Sequence, residues 1–226
     1  AIKVFKKETN WLESARVYEA IRHIKFNLRG SPTPLHNALI YGQYNGNKVC
    51  VQKYYNGGEL YESILKKPLD IPESKDIAEQ ILLQLIALHG EEYTHGDIKP
   101  ENICLHDSGE GVEYRLIDFE TVEKGEVGHF SGATIEYYSP QMYLDLEKKV
   151  TNKYHADMYG LGAAICVGIL QQSVENGALQ QYIKEGEIIR SFNHELHYPI
   201  VFDSHEYLIK RINENALLQE NENFRL

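Results

Sequence analysis

Apolar and polar positions alternate at the start of the chain, so that Ile2 and Val4 fall on one face of a predicted strand over 1–6 and Lys3 on the other. Asn10, with Glu13 three residues later, forms a helix-capping pair. The predicted helix runs to about residue 25, with Val17, Ile21 and Ile24 on one face and Leu12, Ala15 and Glu19 on a second. Two faces predict packing on two sides. Strands over 39–44 and 48–54 follow, joined by the turn-forming triplet Asn45, Gly46 and Asn47. After Asn56, Gly57 and Gly58 the pattern becomes helical. A short helix is predicted from Leu60 to about Leu65, then one over 74–89 with Ile77, Ile81, Leu82 and Leu85 on its apolar side. Short strands over 102–106 and 112–117 flank a turn at 107–111, which brings Asn102 and Asp118 to one rim of a ribbon. A loop over 119–141, an apolar helix around Leu161 and further helices ending in an Asn- and Glu-rich tail complete the pattern, with no internal repeat.

Composition narrows this picture. With 226 residues, 42% of them hydrophobic and 25% charged, the chain suffices for one substantial core or two small lobes. A formal charge of −10 disfavours nucleic acid and anionic membrane surfaces as partners. Cys50, Cys104 and Cys166 are odd in number and lack CxxC spacing, which fits the cytoplasm or another reducing compartment and is compatible with delivery into a host cell as an effector. The longest nearly apolar run, 158–170, falls short of the roughly 20 residues a membrane span needs. No leader precedes the first strand, so a trimmed or unusual N-terminus is expected.

The chemistry concentrates between Tyr93 and Asp118. His95, Gly96, Asp97, Ile98, Lys99, Pro100, Glu101 and Asn102 are followed across the ribbon by Leu116, Ile117, Asp118, Phe119 and Glu120. Two carboxylates and an amide so placed are the parts needed to hold metal-bound ATP beside a hydroxyl nucleophile. These motifs resemble the eukaryotic-type protein kinase family in order and spacing, from the first residue to at least Leu170. The resemblance implies an α+β, bilobal protein kinase-like fold. Residues 1–55 would form a small antiparallel-sheet lobe with one main helix, and 56–226 a larger, mainly helical catalytic lobe.

The resemblance also implies roles. Lys3 would hold the α and β phosphates, oriented by Glu19; Gln52 would stand at the back of the nucleotide pocket; Lys53, Tyr54 and Tyr55 would form the hinge, with Glu59 beside the nucleotide where the large lobe begins. Asn102 and Asp118 would ligate Mg²⁺, or Mn²⁺ in its place. Asp97 would accept or orient the substrate hydroxyl proton, Lys99 would neutralise the γ phosphate, and Thr134 would bridge the two. Asp157 would hydrogen-bond the catalytic-loop backbone, and 134–141 would dock a protein substrate. On this reading the protein is a serine/threonine kinase. Aminoglycoside and choline kinase relatives share part of the pattern, and a pseudokinase acting as a binding module is the third reading. His95 reads as a structural residue of the loop. Without the resemblance, Lys3 reads as an edge-strand lysine and Glu19 as a solvated helix charge.

Four departures stand out. Gly96 replaces an arginine that pairs with activation-loop phosphate in regulated kinases, which implies activity independent of such phosphorylation at Ser131, Thr134 or Tyr137. Glu120 replaces a glycine and puts a carboxylate near the metal position. Gln141 replaces a glutamate, which weakens an internal ion pair. The glycine-rich hairpin that would flank Ile2 and Val4 does not appear, so an upstream segment or an activator is expected to cover that strand edge.

Overall fold

Strand β1 (Ile2–Phe5) forms one edge of a three-stranded antiparallel sheet in a computed structural model that describes residues 1–125, 127, 128, 134, 137 and 151–174. The central strand is β5 (Asn47–Gln52) and the far one β4 (Ala38–Tyr44); here β2 (Lys25–Leu28) and β3 (Ser31–Pro34) form a separate ribbon. The predicted 39–44 and 48–54 pair is thus present, and its turn is tighter than the triplet suggested. Tyr44 pairs with Asn47, leaving Asn45 and Gly46 as the two loop residues at φ 47° and 80°. Positive φ at both central positions matches the twist of a two-residue hairpin. Lys3, Cys50 and Tyr41 lie side by side across the sheet. Ile2 and Val4, on the opposite face, are 64% and 57% exposed.

Helix α1 (Glu8–Ile21) crosses the inner face of this sheet with Ser14, Tyr18 and Ile21 buried. The expected Asn10–Glu13 capping pair is not its start: Lys7 occupies the cap position without a side-chain bond. The helix also ends at Ile21 rather than near residue 25. Ile24 and Phe26 are instead drawn into the core through an extended segment, and β2 and β3 turn at Arg29 and Gly30, φ 49° and 84°. The alternating burial of Phe26 and Leu28 marks a strand. Pro32 and Pro34 are tolerated in β3 because its only partner among the described residues is β2. Buried Arg115 ties the ribbon down, donating to the carbonyl of Pro34 with its guanidinium 4.9 Å from the Phe26 ring.

The helical part contains α2 (Leu60–Lys66), α3 (Ile71–Gly90) and α4 (Lys153–Val174). Asp70 caps α3 by accepting from Glu73 N at 2.9 Å, and Pro72 lies in its first turn, so the helix begins three residues earlier than its apolar period suggests. Buried Ile77, Ile81, Leu85 and Leu88 face the core. Two amides on the same helix, Gln80 and Gln84, extend the ladder of the next ribbon. Gln84 takes Leu116 N at 3.0 Å and donates to Tyr114 O at 2.8 Å; Gln80 takes Tyr114 N at 3.0 Å. These bonds satisfy an otherwise buried strand edge and fix the height of β7 (Ile103–Asp107) and β8 (Val112–Leu116) against α3.

Two short pairings complete the described structure. β6 (Tyr93–Thr94) pairs with β9 (Glu123–Lys124), and β10 (Val127–Gly128) with β11 (Thr151–Asn152). They place short strand bridges within and beyond the predicted 119–141 loop. One continuous apolar core runs from Tyr18 and Ile21 through Leu60, Ile77 and Phe119 to Leu161. No helix among the described residues is long and apolar enough to cross a membrane. Ser131, Ser139, Pro140 and Gln141, and the tail beyond 174, lie outside the described residues, as does most of the proposed docking segment.

The linker between sheet and helices is fastened to β7. Gly57 N donates to Leu105 O at 2.9 Å, Leu105 N donates to Gly58 O at 2.8 Å, and the Asn56 side chain accepts from Asp107 N at 2.9 Å. A Cβ on Gly57 would lie 2.6 Å from Leu105 Cβ and 2.8 Å from Leu105 O. Gly57→Ala is therefore expected to destabilise the fold by about 1–3 kcal/mol through overpacking, read as a lower urea midpoint; an unchanged midpoint would contradict this packing.

Candidate active site

Asp157, only 1% exposed on α4, organises the loop that follows β6. Its Oδ2 accepts from His95 N and its Oδ1 from Gly96 N, both at 2.8 Å, and a ring nitrogen of His89 lies 2.9 Å from Oδ2. Gly96 sits at φ 84°, a left-handed conformation that glycine adopts without a Cβ clash. The expected bond from this aspartate to the catalytic-loop backbone is thus present. His95 Nε2 is 3.0 Å from Ile117 O, so that nitrogen donates, while Nδ1 accepts from Asp97 N at 3.4 Å. With both nitrogens engaged, fully buried His95 is structural.

This loop delivers Asp97 into a cluster of four groups. Asp97 Oδ2 meets Lys99 Nζ at 2.8 Å and Asn102 Nδ2 at 2.9 Å; Oδ1 accepts from Thr134 N at 2.8 Å. Lys99 Nζ also donates to Thr134 Oγ1 at 2.6 Å. Burial pushes the Asp97 carboxyl upward, but hydrogen bonds from Lys99 and Thr134 outweigh it and hold the group below the usual aspartate value. It stands ionised at neutral pH with lone pairs directed at the site. Asn102 is buried on the short turn Pro100–Asn102, and its amide nitrogen is committed to Asp97. Its oxygen is the atom left for a cation.

Asp118 stands at the end of β8 at φ 60°, ψ 62°, a left-handed conformation more accessible to Asp than to most residues. Phe119 then begins the short turn Phe119–Thr121 and is fully buried between two rings, 5.8 Å from Tyr18 and 5.2 Å from His95. The hydroxyl of Tyr18 accepts from Phe119 N at 3.5 Å and from Gln52 Nε2 at 3.4 Å. Tyr18 thereby joins α1, β5 and the Asp118 loop. Its spacing four residues after Ser14 and three before Ile21 was the available sequence signal, hidden because tyrosine is common here.

Lys3 is the point where the expected arrangement changes. Its Nζ lies 2.9 Å from Asp118 Oδ1 and 2.7 Å from Glu120 Oε1. Burial pushes its pKa down, yet the bonds to Glu120 and Asp118 prevail and raise it above the ordinary lysine value. Glu19, expected to orient Lys3, points outward instead. It is 70% exposed and paired with Arg22 at 2.8 Å, because packing of Tyr18 against Phe119 turns the adjacent position away from the sheet.

The Gln52 side chain donates to the Tyr18 hydroxyl at 3.4 Å. Lys53 N donates to Asn37 O at 2.8 Å, while its ammonium lies 5.4 Å from the ring of buried Tyr55. Tyr54 is exposed. Glu59 precedes α2, and burial together with the charges of Glu62 and Glu101 pushes its carboxyl up. The structure brings Asp97, Lys99, Asn102 and Thr134 into direct contact and joins Lys3 to Asp118; it does not bring Glu19 to them. No cluster of three or more His, Cys, Asp or Glu side chains suited to a metal is present among the described residues. Asp118 and Asn102 still fit a magnesium ion, which takes few protein oxygens and completes its shell with water and phosphate.

A lysine above a rim of carboxylate and amide oxygens belongs to the phosphotransferase class of sites. The family model of the protein kinase domain matches residues 1–225, and the chain belongs to that family. It is 29% identical over 153 residues to a calcium and calcium/calmodulin-dependent serine/threonine-protein kinase of Pisum sativum, covering 65% of this chain and 28% of that one. It is similarly 27% identical over 127 residues to the serine/threonine-protein kinase pkn2 of Myxococcus xanthus, covering 54% and 15%. The death-associated protein kinase dapk-1 of Caenorhabditis elegans is 34% identical over 98 residues, covering 42% and 7%. The matched stretches span less than a third of these relatives. Serine/threonine kinases are thus its distant homologues, and the family as a whole uses ATP with a divalent metal.

Asp157→Ala would leave the buried N–H groups of His95 and Gly96 without their acceptor. The expected cost is about 2–5 kcal/mol, measured by chemical denaturation; stability equal to the parent would refute the anchoring role.

Proposed function

We propose that this chain transfers the γ-phosphoryl group of ATP to serine or threonine hydroxyls of a protein substrate. The observation that carries the reading is the Asp97 carboxylate, held ionised by Lys99 and Thr134 and bonded to Asn102. A carboxylate in that state accepts the hydrogen bond of an incoming hydroxyl and aligns its oxygen toward phosphorus. As the new O–P bond forms and the bond to the departing ADP oxygen breaks, the hydroxyl proton passes to Asp97. Lys99, 2.8 Å from Asp97, balances negative charge on the transferring group, and Lys3 holds the remaining phosphates. Asn102 and Asp118 would hold a divalent cation, Mg²⁺ or Mn²⁺, which would supply further neutralisation of phosphate charge.

A protein acceptor is favoured by the contact of Thr134 with both Lys99 and Asp97, which ties the docking segment to the reacting groups. The serine/threonine relatives point the same way. Residues 1–55 act as the nucleotide-covering part and 56–226 as the catalytic part, with Gln52, Lys53, Tyr54, Tyr55 and Glu59 lining the nucleotide. An upstream segment or activator covers the exposed apolar face and edge of β1. Gly96 offers no side chain to a loop phosphate and is held by Asp157, so the site does not depend on loop phosphorylation.

Asp97→Ala is expected to lower transfer of labelled phosphate from Mg-ATP to protein serine and threonine by about 100-fold or more while leaving nucleotide binding intact. Asp118→Ala instead weakens Mg²⁺-dependent binding. Equal turnover in Asp97→Ala and the parent would refute the assignment, and label found on small-molecule hydroxyls alone would exclude a protein substrate. Ser131→Ala is expected to retain parental activity; its loss there would defeat independence from loop phosphorylation.

A further inference from the structure

Helix α1 offers Lys3 no inward carboxylate. Glu8 pairs with Lys48 at 3.0 Å, Glu13 is exposed, and Glu19 pairs with Arg22 on the solvent side. The inward positions are Ser14, Tyr18 and Ile21. Ser14 Oγ is 2.8 Å from Tyr41 Oη, and Tyr18 is engaged with Phe119 and Gln52. Phosphate-binding lysines of this class nonetheless need an anionic partner to orient them. Among the described residues, the carboxylates within reach of Lys3 are Asp118 and Glu120, at 2.9 Å and 2.7 Å.

We propose that Glu120 is the positioning residue of Lys3, supplying from the loop after Asp118 the carboxylate that α1 lacks. The inference rests on the phosphotransfer reading. Asp118 would serve two cations once a metal is bound, the lysine and the metal, so its hold on Lys3 would weaken as its charge is shared. Glu120 has no role assigned in metal binding and keeps the lysine in place. Its own position is set by the turn Phe119–Thr121, with Phe119 buried between Tyr18 and His95 and Thr121 Oγ1 donating to His95 O at 2.8 Å. Lysine orientation is consequently coupled to the conformation of the metal-binding loop and not to a carboxylate carried by α1. A movement of α1 that leaves Phe119 in place does not break the lysine pair.

The test is equilibrium binding of a fluorescent N-methylanthraniloyl ATP with Mg²⁺ to the full chain and to Lys3→Met, Glu120→Gln, Glu120→Asp, Glu19→Gln and the Lys3→Met/Glu120→Gln double variant. Glu120→Gln is expected to weaken binding about 10-fold, the scale of a lost charge-assisted bond, with partial recovery in Glu120→Asp and no change in Glu19→Gln. In the double variant the second change should cost little, since the effect runs through Lys3. A pH profile of Lys3 acylation, read by mass spectrometry without nucleotide, gives a second measure: Glu120→Gln should move the onset of reactivity to lower pH. Parental binding and an unmoved profile in Glu120→Gln, with binding lost in Lys3→Met, would overturn the inference and leave the phosphotransfer reading standing. Full additivity in the double variant would also overturn it. Parental binding in Lys3→Met would remove the phosphate role of Lys3 and this inference with it.

Discussion

The buried carboxylate of Asp157 holds two consecutive backbone N–H groups, and the site hangs from that contact. A charge removed from water is tolerable only when its lone pairs are filled, and here His95, Gly96 and His89 fill them. Because the donors are backbone groups, the carboxylate sets the path of the chain itself. Asp97 then emerges toward Lys99, Asn102 and Thr134, while the His95 ring turns inward to Ile117 O and Phe119. One helix residue thereby determines the position of a loop distant from it in sequence.

From His95 the same constraint passes through a column of rings. His95, Phe119, Tyr18 and Tyr41 follow one another at centroid separations of 5.2 to 5.9 Å and link the helical part to the sheet. Edge-on and tilted contacts of this kind add to the burial of each ring. The column decides the rotation of α1: with Tyr18 inward, Glu19 must face solvent. The electrostatics of Lys3 are thus a consequence of apolar packing several residues away from it.

Much of this was legible along the chain. The alternation at Ile2, Lys3 and Val4, the hairpin around Gly46 and the ribbon carrying Asn102 and Asp118 all appear where the pattern placed them, because each depends on local period and turn chemistry. The β2–β3 ribbon was not legible. Two prolines mask its period, and what holds it is Arg115, reaching across from β8. The capping pair at Asn10 and Glu13 misled because the helix starts earlier, with Lys7 at the cap position and no side-chain cap bond there. Gln80 and Gln84 carry no local signal of their role, which exists only because β8 lies against them.

By itself the sequence determined the inventory and its order: a lysine strand, a helix, a hairpin, the Asp97 to Asn102 loop and Asp118 across a short ribbon. Those features need only neighbours within a few residues, or motifs of fixed spacing, to be recognised. Which carboxylate answers Lys3 was decided by the tertiary structure alone. The chain pointed to Glu19, but an ion pair forms only where two side chains meet, and Asp118, 115 residues away in sequence, meets Lys3 while Glu19 pairs with Arg22. Helix phase, set by where Tyr18 finds Phe119, turned one glutamate outward; the turn after Asp118 carried the other in.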